Sequence, residues 1–365
     1  MKVVHVIGSF RFGGIEKLVY DLIKVQLCDS LTKPDILVIY NIGELRNSYN
    51  SLGVEIFDSH LKNGRDLSPV KIIRIFKTIR NYDIVHLHGF NTAIALACFF
   101  SGKNIVYTEH GVFGFGKKKK WSEKLIFPFQ KFFIKNRVNV LVFNSFFSKK
   151  IAIGYYKLKE RTGEVVYNGI NLNFKSITCE SEWIVPELKD KFVIGSTGRL
   201  AGFKRIDRLL DAFALIRNCN VRLLIVGDGI SHHALAERAS DLGITNKVIF
   251  TGYKENVFDY QQLMSVCVVP SENEPFGIVA VESLALGKPT IAFKDGGGLV
   301  EIIEAIEPEN IVGSIPELAS RLDYYNNNKD EIPLKKEKRI ERARFFSVEK
   351  MHDGYKQIYH KLISN

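Results

Sequence analysis

The chain has 365 residues, 46% hydrophobic and 25% charged, and its 51 lysines and arginines against 40 aspartates and glutamates give a net charge of +11. At about 150 residues per domain this length predicts two domains, and the composition excludes a disordered chain, a collagen and a disulfide-stapled miniprotein. Apolar runs such as Thr92 to Phe100 reach about half of the roughly 20 residues that span a bilayer, and residues 1–10 show neither a signal-peptide core nor a cleavage site, so a cytoplasmic protein is expected.

Along the chain, short β-branched runs alternate with longer helical patterns, which predicts parallel sheets with helical crossovers. In the first half, strands are expected at Lys2–Ile7, Asp35–Tyr40, Val54–Phe57, Asp83–Leu87, Asn104–Thr108 and Val138–Phe143. Helical patterns fall at Gly14–Leu27, Pro69–Arg80, Ala93–Phe100 and Lys118–Lys135. From Asn171 to Asp190 the periodicity lapses and polar residues collect with Pro186, the composition of a linker. The plan then repeats, with strands at Phe192–Ser196, Val221–Val226, Val248–Phe250, Val266–Val269 and Thr290–Ala292, and helices near Ile206–Ile216, His232–Leu242 and Ile278–Leu286. The expected organisation is therefore an α/β chain of two doubly wound Rossmann-like domains, 1–172 and 191–346, joined by a linker at 173–190. A last helical segment, 347–365, is expected to return to the first domain.

Cys28, Cys98, Cys179, Cys219 and Cys267 are odd in number and widely spaced, with no C-x-x-C pair, so they read as reduced core thiols.

The segment Glu274-Pro-Phe-Gly-Ile-Val-Ala-Val-Glu282 follows an apolar strand and opens a helix. Gly277 lets backbone approach a ligand, and the free N–H groups of the first helical turn, at Ile278 and Val279 after Phe276, favour an anion. Glu274 at the mouth and Glu282 further along the helix flank that site, placed to grip hydroxyl groups on either side of a diphosphate. The alternative reading, a solvated loop carboxylate and a surface helix carboxylate, fits poorly with the apolar start of the helix. Gly195-Ser-Thr-Gly-Arg199, followed by Lys204, again lies at a strand's C-terminal end. The alternative is a pair of surface cations near a helix start, but cations there oppose the helix dipole, which argues that Arg199 and Lys204 face an anionic ligand. In the first half, Gly13-Gly14 and the strand-end His110 are further candidates, though a structural role for each stays open. No G-x-G-x-x-G fingerprint, Walker lysine loop or D-x-D pair occurs, so neutralising a diphosphate falls to Arg199, Lys204 and the helix end, and no metal or other cofactor is expected.

In order, Gly13-Gly14-Ile-Glu16, Thr108-Glu-His110-Gly, Tyr167-Asn-Gly-Ile170, Gly198-Arg199 with Lys204, Val226-Gly-Asp-Gly229, the Glu274–Glu282 block, Gly296-Gly-Gly-Leu-Val-Glu301 and Phe346-Ser347 resemble the retaining glycosyltransferases of family 4, which have the GT-B fold. The resemblance spans residue 1 to about 362. It implies a nucleotide-diphosphate sugar in a cleft between the domains, with Arg199 and Lys204 on the diphosphate, Glu282 on the ribose, Glu274 and His110 on the sugar, and Gly14 near the phosphates. Backbone around Tyr253 and Lys254 would meet the base. It also implies transfer to a saccharide or lipid-linked acceptor with retention at the anomeric carbon, the leaving diphosphate taking the acceptor's proton. A departure lies at Ala305–Gly313, irregular here where the family continues into a strand. A same-fold nucleotide-sugar epimerase and a non-catalytic nucleotide-sugar-binding subunit are the alternatives.

Residues 111–136 interleave Phe113, Phe115, Trp121, Phe127, Phe129, Phe132 and Phe133 with Lys117 to Lys120, Lys124, Lys131 and Lys135. This suits an interfacial helix on anionic lipid, and equally a solvated cationic face over a buried aromatic stripe. The expectation is a peripheral protein on the inner face of the cell membrane. No nucleic-acid module is recognisable, and nucleic acid is not an expected partner.

Overall fold

The computed structural model describes residues 1–365 apart from 12, 112–120, 161, 173–184, 365 and the side chains of 121–125. The chain divides into two units, one formed by Met1–Ile170 with Ser347–Asn365 and the other by Asn171–Phe346.

The first unit runs β1 (Lys2–Ile7), α1 (Gly14–Cys28), β2 (Lys33–Val38), α2 (Arg46–Asn50), β3 (Ile56–Asp58), α3 (Pro69–Ile79), β4 (Ile84–Leu87), α4 (Thr92–Ser101), β5 (Asn104–Glu109), α5 (Trp121–Asn136), β6 (Val140–Phe143), α6 (Phe146–Tyr156) and β7 (Glu164–Val165). Its strands are parallel, in the order β3-β2-β1-β4-β5-β6-β7. Parallel strands covered on both faces read as continuous apolar runs. Val3, Val4, Val6 and Ile7 in β1 and Ile84, Val85 and Leu87 in β4 are accordingly buried, but His5 and His86 interrupt them, and the register sets these two histidines side by side. The helix after β4 is started by Asn91, whose side-chain oxygen accepts from the N–H groups of Ala93 and Ile94 at 3.0 and 3.2 Å, and ended by Gly102 at φ +70°.

The second unit runs β8 (Phe192–Thr197), α7 (Ile206–Ala214), β9 (Val221–Val226), α8 (His232–Asp241), β10 (Val248–Phe250), α9 (Val257–Leu263), β11 (Val266–Val269), α10 (Ile278–Ala285), β12 (Thr290–Phe293), α11 (Gly298–Ile303), β13 (Ile311–Val312), α12 (Ile315–Asn327) and α13 (Lys336–Arg344). The parallel order is β10-β9-β8-β11-β12-β13. Within the stretch read as irregular, Ile311 and Val312 pair with Ala292 and Phe293 and form the edge of this sheet. Two residues are too short a run to show a strand period.

After the second unit the chain returns as α14 (Val348–Ser364), which packs on α1 in the first unit and is tied down by a bridge between Ile170 and Ser347. The cysteine expectation needs correcting. Cys98 and Cys267 are buried, and burial pushes each thiol up to about 12, but Cys28 at the end of α1 and Cys219 in the turn before β9 are exposed, while Cys179 lies outside the described residues. Among the described residues no helix is long and apolar enough to cross a membrane.

Candidate functional site

In the second unit the strand order reverses between β8 and β11, and the loops leaving two such strands frame the crevice where open α/β sheets take ligands. Arg199 and Lys204 leave β8 and Glu274 leaves β11. Lys204 Nζ donates to Glu274 Oε2 at 2.7 Å, with the two side chains only 18% and 14% exposed. A backbone bond from Glu272 N–H to Phe203 O at 2.9 Å holds the two loops together.

The neighbouring cations are differently employed. Arg205, whose φ of +49° lies in the left-handed region, forks onto Asp207 and reaches Glu272 at 3.1 Å, and Arg208 grips Asp295 through two bonds of 2.8 Å. Arg199 is exposed and has no ion-pair partner among the described residues. One small recess is lined by Ser196 to Leu200, Lys204 and Val269 to Ser271. Ser271 is buried there with an Oγ that has no hydrogen-bond partner among the described residues, so the recess contains a hydroxyl free to take one.

A third loop braces this pair. Asn273 N–H donates to Asp295 O and Gly298 N–H to Glu274 O, both at 2.8 Å. A Cβ at Gly298 would lie 2.5 Å from Pro275 O, so the glycine run before Glu301 serves close backbone packing beneath Glu274. Gly277 caps α10 at φ +108°, and a Cβ there would meet Leu299 at 2.1 Å. Ile278, Val279 and Glu282 are half-buried, whereas Phe276 is buried with its ring edge-on to Phe346 at 5.5 Å. The loop after β10 carries Tyr253, which is exposed, and Lys254, whose ammonium lies 5.6 Å from the Tyr260 ring centre.

In the first unit the corresponding reversal falls between β1 and β4. Gly13 and Gly14 lie between β1 and α1, where a Cβ on Gly13 would meet the Glu16 carboxylate at 2.5 Å and burial raises that carboxyl's pKa. His110 directly follows β5 and is buried among other histidines. Its Nε2 is 3.1 Å from His88 Nδ1, His88 Nε2 is 3.0 Å from His5 Nδ1, and His5 Nε2 is 2.8 Å from Gln26 Oε1. His86 bonds Tyr359 OH at 2.6 Å and Thr108 Oγ1 at 2.7 Å, and Thr108 bonds Tyr355 OH at 3.0 Å, so α14 is anchored to the same cluster. Burial pushes His5 and His110 down to about 4 and His86 and His88 well below their ordinary value, which leaves all four neutral at neutral pH. Next to His110, burial pushes Glu109 up to about 7 although Tyr156 OH donates to it at 2.8 Å. His5, His86 and His88 bring ring nitrogens within 4.8 Å of one another, close enough to consider a metal. Each of those nitrogens already has a hydrogen-bond partner, so an ion there would have to break these bonds.

Comparison with known proteins decides the family. Residues 12–174 match the Glycosyltransferase Family 4 model and residues 180–344 the model for Glycosyl transferases group 1, so the two together take in most of the chain. The chain belongs to the family 4 glycosyltransferases. Among its relatives are an uncharacterized glycosyltransferase of Methanocaldococcus jannaschii, 31% identical over 43% of this chain and 42% of that one, and an O-antigen biosynthesis glycosyltransferase of Escherichia coli, 24% identical over 71% and 75%. The archaeal match thus spans less than half of its relative's length. The crystal structure of Anabaena HepE in complex with UDP and glucose shares the GT-B fold, with a TM-score of 0.83, 21% identity and full coverage of both chains.

Two features of this glycosyltransferase were beyond sequence reasoning. Lys204 and Glu274, assigned separately to diphosphate and sugar, are each other's partner 70 positions apart, a pairing set by the adjacency of β8 and β11. Ser271 and the histidines behind His110 belong to no motif; the only signal was polar residues interrupting apolar strands.

Proposed function

We propose that this glycosyltransferase moves a hexosyl or N-acetylhexosaminyl group from a nucleotide-diphosphate donor to a saccharide or lipid-linked saccharide, with retention, in the assembly of a surface polysaccharide or glycolipid. The observation that carries this is the Lys204–Glu274 pair at the strand reversal of the second unit. A cation and a carboxylate held 2.7 Å apart are a prepared exchange: an arriving diphosphate takes over Lys204, and Glu274 is released to accept hydrogen bonds from sugar hydroxyls. Exposed Arg199, the unpartnered Ser271 hydroxyl and the first N–H groups of α10 add donors for phosphate oxygens. With that charge in place the chemistry needs no metal, and the leaving diphosphate takes the acceptor's proton, so no covalent nucleophile is required. Glu282 is assigned to the ribose, backbone around Tyr253 and Lys254 to the base, Gly13 and Gly14 to the approach of the phosphates, and His110 to the transferred sugar. The polysaccharide pathway rests on the O-antigen relative.

The protein is further proposed to work in the cytoplasm, on the inner face of the membrane. The lysine run Lys117 to Lys120 lies outside the described residues, but α5 offers part of such a surface. Phe133 is buried and Phe127 and Phe129 pack on the core, whereas Phe132 is half exposed beside Lys131 and Lys135, and Phe100 on α4 is 71% exposed.

A thermal-shift panel of nucleotide sugars tests the donor site, since a ligand at 100 times its Kd stabilises by about 2.7 kcal/mol. No shift with any member contradicts the reading. Incubating the responding donor without acceptor separates the rival activity: a new sugar nucleotide identifies an epimerase.

A further inference from the structure

The first unit contains a hydrogen-bonded chain of which the proposed reaction uses only the last member, His110. Gln26 in α1, His5 in β1, His88 after β4 and His110 at the end of β5 follow one another at 2.8, 3.0 and 3.1 Å. All four are buried. A neutral imidazole has one N–H and one lone pair, so fixing the first ring fixes every ring after it. Gln26 turns its carbonyl Oε1 towards His5 Nε2, and a carbonyl can only accept. His5 therefore keeps its proton on Nε2 and accepts at Nδ1, His88 donates from Nε2 and accepts at Nδ1, and His110 donates from Nε2. Its Nδ1 is left as a lone pair with no partner among the described residues.

We propose that Gln26, His5 and His88 are positioning residues that hold His110 in the Nε2–H tautomer and present Nδ1 as an acceptor for one hydroxyl of the donor's sugar. The inference rests on the reading of His110 as a sugar contact. It adds a specificity rule: a sugar that offers a hydroxyl there satisfies the lone pair, whereas a deoxy or O-methyl sugar leaves it buried and unmatched. Burial supports the arrangement, because rings that stay neutral around pH 7 keep one proton each and one direction. His86 steadies the chain from the side, its ring centre 4.0 Å from that of His88 and tilted by 35°, with its nitrogens tied to Tyr359 and Thr108.

Long-range ¹H–¹⁵N spectra of the histidine-labelled full chain at pH 7.5 read which nitrogen of each ring is protonated. The expected result is Nε2–H for His5, His88 and His110. His88→Phe keeps an aromatic ring in place but cuts the chain, and should redistribute His110 over both tautomers; His5→Phe, the second variant should the first not fold, removes the fixed end with the same expected result. Gln26→Glu keeps an acceptor at the origin and should leave His110 as in the wild type. A wild-type His110 protonated on Nδ1, or a tautomer unmoved by either phenylalanine variant, overturns the proposal. UDP-glucose, UDP-galactose, UDP-N-acetylglucosamine and GDP-mannose then test the contact itself: at least one should move the His110 signals. Silence across the four overturns the sugar contact, and the tautomer result still judges the chain.

Discussion

The loop edges of the two sheets make an instructive comparison. In the first unit the residues at the ends of β4 and β5 are buried and neutral: His88 and His110 sit in a chain of imidazoles whose pKa values burial has pushed down. In the second unit the residues after β8, β11 and β12 and in the first turn of α7 are charged and partly open, with Lys204 on Glu274, Arg205 on Asp207 and Glu272, Arg208 on Asp295, and Arg199 exposed. Both sheets start at a central strand, extend to one side, and then cross to the other. The common topology therefore fixes where a ligand is received, and the side chains fix its chemistry: ionised groups suit a diphosphate, neutral directional ones suit hydroxyls.

The largest expected effect separates charge that holds the fold from charge that serves the ligand. Arg339 and Glu307 form a two-bond ion pair at 2.7 and 2.9 Å, each side chain 1% exposed, behind α13. Arg339→Ala strands a buried carboxylate and should cost about 3–5 kcal/mol of stability. Urea unfolding measures it, and nucleotide affinity of the folded fraction should not change. Lys204→Ala reverses the pattern: little loss of stability for a partly open pair, but on the order of 10²–10³ in turnover, as for removal of a preorganised oxyanion donor. Steady-state rates with the donor found by thermal shift check this, and near-normal turnover removes Lys204 from the diphosphate.

The first unit's neutrality predicts a pH response. His5 and His110 bind protons more weakly folded, at about 4, than unfolded, at 6.5, so their contribution is complete above 6.5 and is lost as pH falls towards 4. By linkage the loss from pH 7 to 5 is on the order of 2 kcal/mol for each, and His86 and His88 act in the same direction. Glu109, raised from 4.5 to about 7, works oppositely and offsets about one histidine. The urea midpoint should therefore fall between pH 7 and pH 5. A midpoint that rises would show the cluster charged in the fold.

Much of the fold was legible because buried parallel strands are apolar runs, and β1, β9, β10 and β11 are where those runs predicted them. Some of the elements that escaped lacked the pattern, although α12, with Leu318, Leu322 and Tyr325 buried at helical spacing, carried it and was not named. The β7 and β13 strands have two residues each, and α13, Lys-Glu-Lys-Arg-Ile-Glu-Arg-Ala-Arg, has only Ile340 and Ala343 to mark an apolar face because its buried residue is also Arg339. At the candidate site, sequence singled out Lys204, Glu274 and His110 as types at strand ends. It could not show their partners, since Lys204 meets Glu274 across 70 positions and His110 reaches Gln26 only through strand register.

The most direct test of the account is calorimetric titration of uridine, guanosine and adenosine diphosphates into wild-type, Lys204→Ala and Glu274→Ala protein. If the ion pair is a prepared exchange, one of these nucleotides binds the wild type, losing Lys204 weakens it at least about tenfold, roughly 1.4 kcal/mol, and losing Glu274 leaves affinity unchanged or tighter because Lys204 is freed. Equal weakening in both variants, or no effect of Lys204→Ala, would contradict it.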